Sequence, residues 1–183
     1  MNKELYLKVT SFPIFDQPFS FSCFSGDLHI LYGKNGSGKT TLLRNIALSK
    51  TFENSSVNLQ TSVSYLGDKF GLKLNESVSD HLNFFASPHA IKGDMPYFLD
   101  RYTIASAAIV QNLSFGQMQK VGLIRVLLSR ANLWILDEPL SHLDDQSRLL
   151  FIDDMQSHLS FGGAILMSTH DKIPLLHESI ILS

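Results

Sequence analysis

Two groups of residues have types and spacing suited to chemistry on a phosphorylated ligand. Gly33-Lys34-Asn35-Gly36-Ser37-Gly38-Lys39-Thr40 fits the pattern G-x-x-x-x-G-K-[ST], and Thr41 follows it directly. Its glycines let the backbone curl so that N–H groups face phosphate oxygens, and a helix starting there adds its positive end. Lys39 then reaches the β- and γ-phosphates, and the Thr40 hydroxyl is a Mg²⁺ ligand. The second group closes Leu133-Trp134-Ile135-Leu136-Asp137-Glu138-Pro139, an apolar run ending in two carboxylates. At the C-terminal end of a buried strand both can face a ligand crevice, Asp137 to hold Mg²⁺ and Glu138 to orient or deprotonate an attacking water.

These groups need a scaffold that brings them together. Leu28 to Tyr32 reads as a buried strand leading into the glycine-rich turn, and Leu42, Leu43, Ile46 and Ala47 then share one helical face. Leu133 to Leu136 and Ala164 to Met167 are short continuous apolar runs, as expected of parallel strands buried on both faces, with a helix through Leu149 to Leu159 between them. Ser62 to Leu66 is a further candidate strand. Leu5, Leu7 and Val9 alternate with polar residues, and phenylalanines at 12, 15, 19, 21 and 24 follow, which suits short antiparallel strands turned at Pro13, Pro18 and Gly26-Asp27. Residues from about 70 to 112 read as a mostly helical insertion. With the helix that continues through Met118, Val121, Ile124, Leu127 and Leu128, the helical part extends to about 130 within one domain spanning 1–183. The expected fold class is α/β, a P-loop NTPase fold with a mainly parallel central sheet, an N-terminal antiparallel β part and a small helical insertion.

Composition excludes other classes. A hydrophobic share of 44% with 17% charged residues indicates a folded globular chain. Fifteen basic residues against seventeen acidic ones give a net charge of −2, which does not suggest a general nucleic-acid surface. The single cysteine, Cys23, allows no internal disulfide, fits a reducing compartment and rules out a cysteine-rich zinc site; it reads as a small buried hydrophobe. The start has no signal-peptide pattern, and no apolar run approaches the roughly 20 residues of a membrane-spanning helix, so any membrane pathway belongs to another chain.

Leu113-Ser114-Phe115-Gly116-Gln117 resembles the signature motif of ATP-binding cassette (ABC) ATPases, usually written LSGGQ, and it ends twenty positions before Asp137. Ser141-His142-Leu143-Asp144 resembles the D-loop of that family, and Ser168-Thr169-His170 its switch histidine, all in the family's order. The resemblance spans about Leu5 to His170. It implies ATP and Mg²⁺ as ligands, hydrolysis with Glu138, His170 and Lys39 as catalytic residues, and Thr40 and Asp137 on the metal. Nucleotide contacts are implied for Gly33 through Thr41. It further implies a second ATPase subunit packed head to tail, with Ser114, Gly116 and Gln117 meeting the nucleotide of the opposite subunit. Membrane-spanning transporter subunits complete the implied assembly, at the cytoplasmic face of the cell membrane. The other six histidines show no metal-ligand spacing.

Two positions depart from the family pattern. Lys69, after Tyr65-Leu66-Gly67-Asp68, stands where the Q-loop glutamine is expected, and it pairs with a phosphate, pairs with a carboxylate or points into solvent. Phe115 replaces a small signature residue and adds bulk at the face presented to the second subunit. Phe12 and Phe15 are candidates to stack on adenine, or else core residues. The wording of Leu133 to Pro139, Tyr65-Leu66-Gly67 and Gly162-Gly163-Ala164, with the compact insertion, is similar to haem-exporter ATP-binding subunits of cytochrome c maturation. The alternatives are the ATPase subunit of another ABC exporter or importer, a soluble non-transport ABC ATPase, and a nucleotide-binding regulatory subunit with little hydrolysis.

Overall fold

The computed structural model describes residues 3–12, 19–50, 56–67, 70–86 and 94–182. In chain order the strands are β1 (Leu5–Phe12), β2 (Phe19–Phe24), β3 (Leu28–Gly33), β4 (Ser56–Leu59), β5 (Val63–Leu66), β6 (Leu133–Asp137), β7 (Ala164–Ser168) and β8 (Glu178–Leu182). The helices are α1 (Lys39–Ala47), α2 (Val78–Phe85), α3 (Asp94–Arg101), α4 (Phe115–Ser129) and α5 (Asp145–Ser160). A three-stranded antiparallel sheet runs in the order β2-β1-β4, and a five-stranded parallel sheet in the order β5-β6-β7-β3-β8.

The parallel sheet is buried on both faces, and strand alternation decides which side chain goes where. Leu133, Ile135, Ala164 and Leu166 pack with α1 residues Leu42, Leu43 and Ile46 and with β1. Trp134, Leu136, Ile165 and Met167 face the other way, into a core with α2, α4 and α5. Both apolar runs and the α1 face therefore fold as the sequence predicts. β4 and β8 were not anticipated. β4 is four residues long and finds its place by pairing with β1; β8 is an edge strand whose Ile181 is exposed, so neither has a strong burial pattern of its own.

Between 70 and 112 the described residues form the two eight-residue helices α2 and α3 and a short 3-10 turn at Val110–Asn112, joined by non-helical connections. Arg125 of α4 fastens this region to the sheet: its guanidinium donates to Tyr65 O at 2.9 Å and Gly71 O at 3.4 Å. Burial lowers the Arg125 pKa from the ordinary guanidinium value. Among the described residues no helix is long and apolar enough to cross a membrane.

His158 of α5 stacks on Trp134 with ring centroids 3.8 Å apart, close against Gly163, where any Cβ would collide with the imidazole. Burial lowers the His158 pKa to about 4. In the unfolded chain the same ring takes a proton near pH 6.5. The unfolded state thus binds more protons between these values, and stability must fall as pH drops from about 6.5 towards 4. Urea unfolding at pH 7.5 and pH 5 should show that loss in the parent and a smaller one in His158→Phe, which keeps a stacking ring; equal losses would remove His158 as a cause.

Candidate active site

In a parallel sheet the strand C-termini share one edge, and β7 sits between β6 and β3. Register then pairs Asp137 with Ser168 on one side and Leu31 with Ser168 on the other. The loop after Gly33, the acidic end of β6 and the end of β7 consequently emerge side by side, the position at which α/β sheets bind ligands.

The glycine-rich loop curls as its composition requires. Gly36 and Gly38 have φ of 85° and 91°, in the left-handed region that favours glycine, and Gly38 serves as the N-cap of α1. The Lys39 ammonium is buried and donates to Gly33 O at 2.7 Å and Lys34 O at 3.2 Å, so it rests on the carbonyls of its own loop. Ser37 N donates to Lys34 O at 3.1 Å. Asn35, Gly36, Gly38, Lys39, Thr40 and Thr41 line a cavity of about 250 Å³ whose other wall is Asp137 and Glu138. The two groups of residues singled out from the sequence thus face a single space.

Asp137 is buried, and its two oxygens differ. Oδ1 accepts from the Ser168 hydroxyl, while buried Oδ2 has no hydrogen-bond partner. A buried carboxylate oxygen left unpaired is unfavourable unless a cation completes it. With the Thr40 hydroxyl on the same cavity, this oxygen-only donor set suits Mg²⁺.

Glu138 occupies the left-handed region with φ 48°, a conformation that costs a non-glycine residue on the order of 1–3 kcal/mol. Its surroundings hold it there. Glu138 N donates to Ser168 O at 3.1 Å and lies 3.0 Å from Ser168 Oγ, and Glu138 O accepts from the Ser141 hydroxyl at 2.8 Å. Its carboxylate Oε1 is 3.3 Å from His170 Nε2, within ion-pair range, although the contact lacks hydrogen-bond geometry. Burial raises the Glu138 pKa and the Asp137 charge adds to this, against the pull of His170 and Lys39. The loop carrying His170 is braced by Arg148, which donates to Asp171 at 2.8 Å.

Sequence reasoning named Ser168 only as a neighbour of His170 and missed its role, which comes from the β6–β7 register that puts its hydroxyl between Asp137 and Glu138. Ser168→Ala should lower stability by about 1–3 kcal/mol by leaving Asp137 Oδ1 without its donor. Urea unfolding measures this, and an unchanged midpoint would mean the hydroxyl is dispensable.

Ser114, Gly116 and Gln117 do not line the phosphate cavity. Ser114 caps α4 and forms a reciprocal capping box with Gln117: Gln117 N donates to Ser114 Oγ at 3.2 Å, and Ser114 N donates to Gln117 Oε1 at 2.9 Å. Gly116 packs on His142, where a Cβ would come within 2.7 Å of the carbonyl oxygen. Phe115 is 63% exposed, makes edge contacts with Phe70 and His142, and lines a cleft of about 380 Å³ that also reaches Asn35, Thr40, Asp137, Glu138 and His170. Asp144 caps α5 by accepting from Ser147 N at 2.8 Å, and its pairing with Lys120 holds its pKa well below the usual carboxylate range. Lys69 and Phe15 lie outside the described residues, as does the side chain of Phe12.

Residues 17–141 match the ABC transporter family. The chain is 36% identical over 165 residues to the cytochrome c biogenesis ATP-binding export protein CcmA of Cereibacter sphaeroides, covering 88% of this chain and 78% of that protein. It is 35% identical over 188 residues to the protein of the same name from Tatumella citrea, covering 94% and 88%. A solved ATP-binding subunit of an ABC transporter has the same fold, with a TM-score of 0.82 at 21% identity over 90% of this chain and 79% of that one. With the phosphate loop, the acidic pair and the signature in family order on that fold, the chain belongs to the ABC transporter family as an ATP-binding ATPase subunit, among relatives named for cytochrome c biogenesis.

Proposed function

We propose that this chain is the ATP-hydrolysing motor subunit of a haem-exporter-type complex in cytochrome c biogenesis. The observation that carries the chemistry is the shared cavity of the glycine-rich loop with Asp137 and Glu138. The names of the relatives carry the biological assignment. ATP places its β- and γ-phosphates against the N–H groups at the start of α1, and Lys39 exchanges its loop carbonyls for phosphate oxygens. Asp137 Oδ2 and the Thr40 hydroxyl would hold Mg²⁺, which when bound would neutralise charge on the phosphate oxygens. Glu138 orients the attacking water and takes its proton, which suits a carboxylate of raised pKa. His170 donates to the γ-phosphate. Lys69 stands at the Q-loop position and is assigned a contact with the phosphates or a neighbouring carboxylate.

Two copies pair head to tail, so that Ser114, Gly116 and Gln117 of one close over the nucleotide of the other. The exposure of Phe115 at the head of α4 supports that pairing. The helical part between about 70 and 130, within one domain spanning 1–183, meets the membrane-spanning subunits at the cytoplasmic face. Leu74, Phe84 and Tyr97, all exposed, lie on that stretch. Purification from membranes in mild detergent tests the assignment: haem-handling membrane subunits should accompany the chain, and disrupting its gene should abolish c-type cytochromes. A lipid or peptide permease as companion, with cytochromes intact, would replace this reading by that of another exporter.

A further inference from the structure

Cys23, Asp27 and His29 meet at the seam between the two sheets, well away from the phosphate loop. Cys23 lies near the end of β2, Asp27 in the following turn and His29 near the start of β3. Four residues of extended chain, on the order of 13 Å, separate His29 from Gly33 at the other end of that strand. A sulfur, a carboxylate oxygen and a ring nitrogen, one from each residue, lie within 4.8 Å of one another.

The imidazole is the informative group. His29 is 2% exposed, and neither ring nitrogen makes a hydrogen bond. Nε2 lies 3.7 Å from Asp27 Oδ2, and Nδ1 lies 3.4 Å from Glu178 Oε2, the register partner of His29 on β8. Buried polar atoms normally have hydrogen-bond partners, so a ring held within ion-pair range of two carboxylates without hydrogen-bond geometry to either calls for an explanation. Burial lowers the His29 pKa against the pull of Glu178 and Asp27, which favours the neutral ring, the form that binds metal. Cys23 is fully buried, and burial, then the Asp27 and Glu178 charges, push its thiol up to about 12. The thiolate is the ligand form, so a divalent cation bound beside this sulfur displaces its proton.

We propose that Cys23 Sγ, Asp27 and His29 Nε2 form a binding site for a borderline-soft divalent transition ion of the Zn²⁺ kind. Mixed sulfur, nitrogen and oxygen donors suit Zn²⁺, and ligand bonds of about 2.0–2.3 Å require only a side-chain-scale contraction of the cluster. With Nε2 on the metal, Glu178 Oε2, now 3.4 Å from Nδ1, would act as a positioning group by closing to accept from Nδ1–H and fixing the tautomer. Lys3 pairs with Asp27 Oδ1, and Phe24 N donates at 2.9 Å to Oδ2, the oxygen that faces His29, so the carboxylate is held in place. Glu178 is 77% exposed and marks the way in. A metal here would tie β2 of the antiparallel sheet to β3 and the edge strand β8. The spacing of the histidines gives no hint of such a site, because its members are gathered by a turn and a strand pairing.

The test uses the untagged full chain, stripped with chelator and free of nucleotide. One equivalent of Zn²⁺ per chain should bind and raise Tm, as any ligand selective for the folded state does. Co²⁺ in its place should give a thiolate-to-metal charge-transfer band, and since the chain has a single cysteine this band can arise only from Cys23. Cys23→Ser and His29→Gln should remove the band, and the exposed variant Glu178→Gln should weaken binding by about 10- to 100-fold without disturbing the fold. Absence of the band in the parent chain, or binding unchanged in Glu178→Gln or His29→Gln, overturns the proposal. Fluorescent ATP analogues should bind the parent equally with and without Zn²⁺, which separates this site from the phosphate loop.

Discussion

Lys39→Ala lowers ATP affinity by about 10- to 100-fold, the equivalent of about 1.5–3 kcal/mol for a charge-assisted hydrogen bond. The direction follows from what the ammonium does in the fold. It is buried on the carbonyls of Gly33 and Lys34, so it already pins the loop in the curled form that phosphates would use. Removing it loses the phosphate contact and also leaves those two carbonyls without their donor, which loosens the receptor itself. Titration with a fluorescent ATP analogue reads the first effect, and proteolysis near residues 33–38 reads the second. Unchanged affinity would mean that the backbone N–H groups and the α1 terminus hold the nucleotide without the lysine.

Glu138→Gln should slow hydrolysis by about 10²- to 10⁴-fold while leaving ATP bound, because the amide keeps the shape of the side chain and cannot take a proton. Single-turnover hydrolysis measures the loss, and sedimentation with ATP should show the paired form accumulating. The same variant carries a stability signature. Burial raises the folded-state pKa of Glu138 above its unfolded value, so its contribution is present at low pH and is lost as pH rises through the folded pKa. The variant, which never ionises, should therefore gain on the parent in urea unfolding as pH is raised from 4 to 8. The gain is modest, since the carboxylate is about one-third exposed. In the parent, hydrolysis should fall on acidification at a pH above the ordinary glutamate pKa. A rate in Glu138→Gln equal to that of the parent would remove the residue as the base.

Much of this site could be read along the chain. The glycine-rich loop is a local object: eight consecutive residues contain the glycines, the lysine and the hydroxyl, and the helix they open is set by Leu42, Leu43 and Ile46. The strands β6 and β7 announce themselves because burial on both faces leaves unbroken apolar runs. The signature segment was legible through its resemblance to the family motif, and the structure adds that Ser114 and Gln117 form the capping pair of α4. By contrast, β4 and β8 escaped because a short or edge strand derives its structure from the strand it joins.

What the amino-acid sequence determined by itself is the inventory of chemistry: a phosphate loop, a carboxylate pair, a histidine, and the elements that carry each of them. Only the tertiary structure decided adjacency. Strand order placed β7 between β3 and β6, which made Ser168 the link between Asp137 and Glu138 and brought His170 within 3.3 Å of the carboxylate. It also gathered Cys23, Asp27, His29 and Glu178 from three strands and a turn. The reason is physical: a periodic apolar pattern records which face of an element is buried, but the neighbour across the hydrogen-bonded ladder is chosen by the packing of the whole chain.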